Sequence, residues 1–510
     1  MRCCKADTAV WCEKERVIYK DSKGKEYCVF HAPRGKKGVT VQQFNQLVFS
    51  RIKGTKNGEI CDLSQTVFEG NIDFKELNGD GLLPAINFSE AIFTKKTDFS
   101  YITFGRDPDL FTYFLRTTFC EEAYFINTIF HKTEVTFREA TFTRRAYFSG
   151  TKFYRGANFQ GATFKGKAYL SDVEFNREAN FSKTTYMGWT DFSRAKFYGE
   201  TDFTRVIFFD ETLFLRVTFY KKVDFSGATF KRAFFFDKTF IEDADFQLVN
   251  IKEEITFEKV NLRKISFLDT DLRRIDFINC TWHQKYGRYV LYDELRLFQE
   301  ITDKDEEAKK LLHRLKQRFK GSLSGILKRE WSGFKKDISF DQQKIKKVEI
   351  LYRRLKQKYK EERDEPMVSI WHYGEKEMFR KGSLKRRFNP VSLSNLYWLS
   401  SGYGESSRRS AMVLLLLIFA VSILLALSGL VPLKGGSIYG IERIKGLADI
   451  IDFRKFGMCI ISTLQYATFE RQPYLIPETL LGECLKLLAR ILIPLQTALF
   501  ALAVRNQLRR

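Results

Sequence analysis

The chain has 510 residues, with 85 lysines and arginines against 62 aspartates and glutamates and a formal charge of +23. Length on this scale implies several domains, and the positive balance points to an anionic partner or surface while excluding an acidic mimic of DNA. Nine unevenly spread cysteines exclude a disulfide framework, and with no cleavable signal peptide ahead of them they imply a reducing, cytoplasmic setting for the soluble part.

Residues 1–35 bring Cys3, Cys4, Cys12, Cys28 and His31 close together in sequence. A Cys-x-x-His pair with upstream thiols supplies the four S/N ligands that tetrahedral zinc takes, and a segment too short for a core of its own is one that a metal folds. The expected set is Cys3, Cys12, Cys28 and His31, with Cys4 as the alternative first ligand. Four protein ligands leave no open position, so the zinc is structural. The Tyr-Cys-x-x-His turn resembles the end of small zinc-knuckle-like modules.

Within 36–66, the stretch 39–52 carries Val41, Phe44, Leu47 or Val48, and Phe49 or Ile52 at helical spacing after Thr40 as a cap. This predicts a short helix covering the open end of the repetitive region that begins near residue 67.

From Phe119 to Trp282 a large apolar residue returns at alternating steps of five and six, as in Phe137, Phe142, Phe148, Phe153, Phe159 and Phe164. A small or β-branched residue sits two positions earlier, as in Ala140, Ala146, Thr151 and Ala157. Units this short bury nothing alone and must stack around a shared core. An eleven-residue period also fits a right-handed coiled coil, but Phe, Thr, Tyr and Val favour a pleated surface. The pattern resembles the pentapeptide-repeat family, which implies a mainly β fold over 67–284. Its form is a right-handed quadrilateral β-helix with one unit per face and four units per coil. Two eleven-residue pairs then make one coil, which gives roughly nine coils between Phe88 and Trp282, and strand spacing of about 4.8 Å makes a rod on the order of 40 Å long. The insertion at 105–116, which contains Pro108, breaks the register and is expected to be a loop on one face.

After Trp282 the period becomes helical. Over 285–400, Tyr289, Tyr292, Leu295, Phe298, Leu311, Leu312, Leu315 and Phe319, then Val348, Leu351, Leu355, Tyr359, Met367, Ile370, Trp371, Met378 and Phe379, predict helical hairpins. Their Lys/Arg-rich outer faces would suit anionic lipid or nucleic acid. The stretch 352–381 resembles the helical linker between repeats and membrane segments in one branch of pentapeptide-repeat proteins.

The region 405–510 decides localisation. Residues 411–431 carry no charge and are long enough to span a bilayer, and 487–504 form a second span interrupted by Arg490, Pro494 and Gln496. Lys385, Arg386, Arg387, Arg408 and Arg409 before the first span, and Arg505, Arg509 and Arg510 after the second, place both ends in the cytoplasm. Gln496 must find a protein partner inside the membrane. Between the spans, 457–477 is apolar but too short to cross, which predicts a re-entrant segment. Its position resembles the pore region of two-helix cation channels, with Ser462, Thr463, Thr468, Glu470 and Gln496 as pore candidates. A potassium filter is excluded, because Thr468 is followed by Phe-Glu-Arg-Gln instead of a Gly-Tyr-Gly turn. The Tyr403-Gly404 pair, ahead of the first span, is expected to form a turn at the membrane surface.

No nucleophile-base pair or phosphate-cradling loop appears, so no enzyme is expected. The leading expectation is a multi-pass protein of the cell (inner) membrane whose N-terminus and β-helix are cytoplasmic. It would be a non-enzymatic scaffold with the lipid bilayer and an unidentified protein as partners, and without nucleic acid. The alternative is a degenerate or non-selective channel-like homo-oligomer that the β-helix assembles or gates.

Overall fold

A computed structural model describes the chain apart from residues 1–2, 6, 8, 78–80, 107–109, 238–239, 286–287, 302, 304–323, 383–391, 434–436 and 509–510, and the side chains apart also from 10, 324–341 and 447. It divides into two compact units, 1–318 and 319–510.

The first unit is a β-solenoid. Parallel two-residue rungs repeat at 22-residue intervals, as Thr141 on Thr163 on Thr185 and Phe142 on Phe164 on Tyr186. One sheet has ten strands, so ten coils stack, and the first begins at Cys61, earlier than the regular phenylalanine spacing announces. Each unit sends one large apolar side chain inward, either from the rung itself, as with Phe142, or from the residue after it, as with Phe159. Phe137, Phe159, Phe181, Phe203 and Phe225 form one column with centroids 4.8–4.9 Å apart and nearly parallel planes. Rings of neighbouring columns meet edge to face, as Phe148 does with Phe159. Burying each such side chain contributes about 1.5–3 kcal/mol.

The uneven step has a backbone cause. In the five-residue step from Phe137 to Phe142 the chain turns at Glu139, with φ 57° and the Ala140 amide donating to the Phe137 carbonyl at 3.0 Å. The same left-handed position recurs at Gly150, Gly161 and Asp172. The small residue after it points inward. Where it is threonine, its hydroxyl finds the carbonyl of an earlier coil, as Thr151 does with Phe125 at 2.6 Å and Thr184 with Phe159 at 2.8 Å.

Both ends are covered. The predicted helix is present as α1 (Val41–Lys53), capped by Thr40 and Gln43 in a reciprocal capping box. Phe44, Val48, Phe49 and Ile52 are its buried residues, and Phe44 and Phe49 meet Phe68 and Phe74 of the first coil at 5.8 Å. At the far end a helical run over 292–301 supplies Asp293, which is buried. Its carboxylate accepts from the Ser266 hydroxyl at 2.6 Å and the Phe267 amide at 3.0 Å, the amide a further rung would have engaged.

Two expectations need correction in this unit. Only part of 105–116 is a loop: Phe111–Tyr113 is a rung paired with Glu134–Thr136, and Phe114 is a core ring stacked on Phe137 at 4.6 Å. Pro108 lies outside the described residues. The segment after Trp282 is first an antiparallel hairpin, His283–Lys285 with Arg288–Val290, so Tyr289 is in a strand. Leu311, Leu312, Leu315 and Phe319 lie outside the described residues.

In the second unit α2 (Ser324–Glu361) and α3 (Glu365–Lys381) form the predicted hairpin, closed on Trp371, with Tyr352 and Tyr359 against it. Gly374 permits this approach, since a Cβ there would stand 2.3 Å from the Tyr352 ring. Phe379, expected on the apolar stripe, is exposed. Part of the basic face is spent internally: Arg353 and Lys356 both bind Glu375. α4 (Leu393–Ser401) leads into α5 (Ser407–Ser428), followed by α6 (Leu447–Ile451), α7 (Phe453–Ala467) and α8 (Leu480–Leu508). α5 and α8 are long and apolar enough to cross a membrane. The first helix stops at Gly429, short of the expected 431, and Leu430–Pro432 instead pairs antiparallel with Leu475–Pro477. The second runs beyond 487–504 at both ends and contains Pro494.

Candidate metal centre and pore residues

The metal candidates converge from three places. Cys3 precedes the first strand, Cys12 ends a short 3-10 turn (Val10–Cys12), and Cys28 and His31 flank the turn that leaves the strand Glu26–Cys28. Their ligand atoms all lie within 4.8 Å of one another, and all four residues are buried. His31 Nδ1 is 3.2 Å from Cys28 Sγ and 3.5 Å from Cys3 Sγ. A tetrahedral zinc with bonds of about 2.3 Å to sulfur holds neighbouring ligand atoms roughly 3.7 Å apart, so the cluster has the right scale.

The second ring nitrogen of His31 donates to the Ser64 carbonyl at 3.1 Å, which fixes the tautomer and aims Nδ1 at the thiols. Cys4 is set aside by its backbone, whose amide bonds the Glu26 carbonyl at 2.6 Å. The hydrogen bond with Cys28, helped by His31, outweighs burial and pulls the Cys3 thiol down to about 3. Burial and the charge on Cys3 push Cys12 up to about 12, and the Cys3 hydrogen bond raises Cys28. Three buried sulfurs and one imidazole nitrogen form a donor set of the kind that holds a metal ion.

Three supporting residues carry no sequence signature. Lys37, buried, turns its ammonium onto the Val29 and Phe30 carbonyls inside the Cys-x-x-His turn and lies 4.3 Å over the Phe44 ring. Trp11 donates to the Ser64 hydroxyl at 3.2 Å beneath the Arg51 guanidinium, 4.3 Å above its ring. The module is thereby joined to the first coil and to α1.

The coils that begin there carry a repeat that a family profile recognises. The profile, described as pentapeptide repeats in nine copies, matches residues 137–185 and 159–207. These coils are pentapeptide repeats. No curated protein matches the chain.

Outside the pentapeptide repeats, the pore candidates do not form one site. Thr463 bonds Ser422 of α5 at 2.9 Å and the Cys459 carbonyl at 2.7 Å. Its neighbour Ser462 is buried with no partner for its hydroxyl. Thr468 and Glu470 are exposed at the end of α7. Gln496 has the partner its position demanded: its amide donates to the Ser400 and Ser410 carbonyls at 3.0 Å and the Ser410 hydroxyl at 3.1 Å. It is a clasp between α8 and the start of α5. The same corner holds the Tyr403-Gly404 turn, where Tyr403 is buried and donates to Glu377 at 3.0 Å, and Asn506 donates to the Gly404 carbonyl at 3.0 Å. Burial pushes the Glu377 carboxyl up, but Arg380 and Lys381 outweigh it and hold the group down at about 2.

Proposed function

We propose that this protein is a non-enzymatic scaffold of the cell (inner) membrane, in which the solenoid presents a rigid surface to a cytoplasmic protein partner and α5 and α8 fasten the chain to the bilayer. The reading rests on one combination: ten coils covered at both ends, followed by two long apolar helices. Pentapeptide-repeat solenoids are typically structural or binding proteins. Arg408 and Arg409 stand in the first turn of α5, and the start of α5 and the end of α8 meet at the corner around Gly404, which supports both chain ends on the cytoplasmic side. Structural zinc at Cys3, Cys12, Cys28 and His31 supports the N-terminal cover.

The channel alternative is weakened because Gln496 and Thr463 are engaged within one chain; a pore would instead have to be lined by Thr468 and Glu470 from several copies. Alkaline extraction of membranes combined with planar-bilayer recording tests the choice. The scaffold reading expects the chain to stay with the membrane pellet, to pass no current, and to keep its partner when 457–477 are deleted. Release into the alkaline wash, or a conductance altered by Glu470→Gln, would overturn it.

A further inference from the structure

One side of the solenoid gathers a row of exposed cations beside a ladder of stacked aromatic rings. Some exposed cations of the solenoid have acidic partners one coil away: Arg194 with Asp172, Lys196 with Glu174, Arg232 with Glu253. At the corner preceding the rungs Ala123–Tyr124, Ala146–Tyr147 and Ala168–Tyr169 this fails. Lys95, Lys96, Arg144, Arg145, Lys165 and Lys167 are all exposed, and none forms an ion pair among the described residues. Only Glu121 and Glu122 interrupt the row.

Beside it runs an aromatic ladder. Tyr124, Tyr147 and Tyr169 stack with centroids 4.7 Å apart and planes within 9°, and Trp189 closes the column against Tyr169 at 5.6 Å. Two of the cations lie on these rings: Lys96 is 4.4 Å over Tyr124, and Lys167 is 5.9 Å over Trp189. In the next two coils the corner carries the half-exposed apolar residues Met187 and Phe209, the second beside Asp210 and Glu211, which face Lys231 and Arg232 of the following coil.

We infer that this strip is the solenoid's docking surface for an extended acidic peptide segment that also carries apolar side chains. The inference rests on the scaffold reading and names the class of its partner. Charge complementarity calls for carboxylates opposite the unpaired row, and Met187, Trp189 and Phe209 offer adjoining apolar area. The ladder decides against a single-stranded nucleic acid. Such chains bind by laying bases on free aromatic faces, and these faces are already occupied by one another. What remains is hydroxyls and ring edges flanked by cations, which suit carboxylates and aliphatic groups.

The test uses the full-length protein in detergent micelles and the anisotropy of a labelled Glu/Leu peptide, with oligothymidylate and phosphatidylserine vesicles as competitors. The variant Lys96→Ala/Arg145→Ala/Lys167→Ala should weaken peptide binding at least about tenfold. The control Arg177→Ala/Lys221→Ala/Lys222→Ala, which removes the same charge from another corner, should change it by less than about twofold. Equal losses in the two variants would show attraction by net charge alone and overturn the inference. So would tighter binding of the oligonucleotide or the vesicles than of the peptide. A partner that still co-purifies with the first variant would sink this surface while leaving the scaffold reading intact.

Discussion

The two units solve the same problem, burial without loose polar ends, in opposite ways. The solenoid repeats one solution: a ring inward, a threonine or alanine beside it, a left-handed turn, and a neighbour above and below that repeats the pattern. The helical unit uses each device once. Gln496 closes α8 on α5, Gly374 admits Tyr352, and Glu377 receives both Tyr403 and Arg380. A repeat therefore distributes its stability over many equivalent contacts, whereas the helical unit concentrates it in a few residues whose loss has no substitute.

The sharpest break is expected where the first unit abandons repetition. Structural zinc sites couple on the order of 10 kcal/mol of binding to folding. Cys28→Ser should abolish stoichiometric zinc by elemental analysis and expose the 1–35 module to proteolysis, while Cys4→Ser keeps both. Within the repeat, Phe159 is fully buried and touches Phe137, Phe148, Phe153 and Phe181. Phe159→Ala should cost about 3–5 kcal/mol in chemical unfolding, and the same substitution at Phe181 should cost a similar amount, because the sites are equivalent.

In the helical unit, Gln496→Leu removes the donor shared by the Ser410 hydroxyl and the Ser400 and Ser410 carbonyls. A loss of about 1–3 kcal/mol in detergent is expected, visible as a lower melting temperature. Glu377 tests the same corner by pH. Its carboxyl is held at about 2 against 4.5 in an unfolded chain, so its stabilisation is full above 4.5 and disappears as pH falls toward 2. Glu377→Gln should flatten that acid limb of the stability curve while Arg380, Lys381 and Tyr403 remain. An unchanged limb would remove Glu377 as its source. The smallest effect belongs to Tyr186, whose hydroxyl is buried among rings with no partner. Tyr186→Phe should be neutral or add up to about 1 kcal/mol, measured as a shift in denaturant midpoint.

The same contrast governs what was legible in the sequence. Repetition writes itself many times, so the eleven-residue period and the inward phenylalanines are readable from spacing, and the 22-residue coil follows from the resemblance to pentapeptide repeats. Devices used once are written once. That Gln496 needed a partner was readable from its polarity in an apolar run, but the identity of Ser400 and Ser410 was not. Two adjacent cysteines look alike on paper, and only the Cys4 amide bonded to Glu26 turns Cys3 inward. The rung Phe111–Tyr113 was hidden because an insertion shifted its register, and the hairpin of His283–Lys285 with Arg288–Val290 because Tyr289 also fits a helical period. The unpaired cationic corner required knowing which residues become neighbours one coil apart.

Asp293 carries a consequence for assembly. Stacked parallel rungs end in a row of amides able to recruit another chain, the geometry by which solenoids and sheet edges polymerise. By occupying the Phe267 amide with a buried carboxylate, the chain denies that template to a second copy. Head-to-tail fibres are thereby disfavoured at high local density.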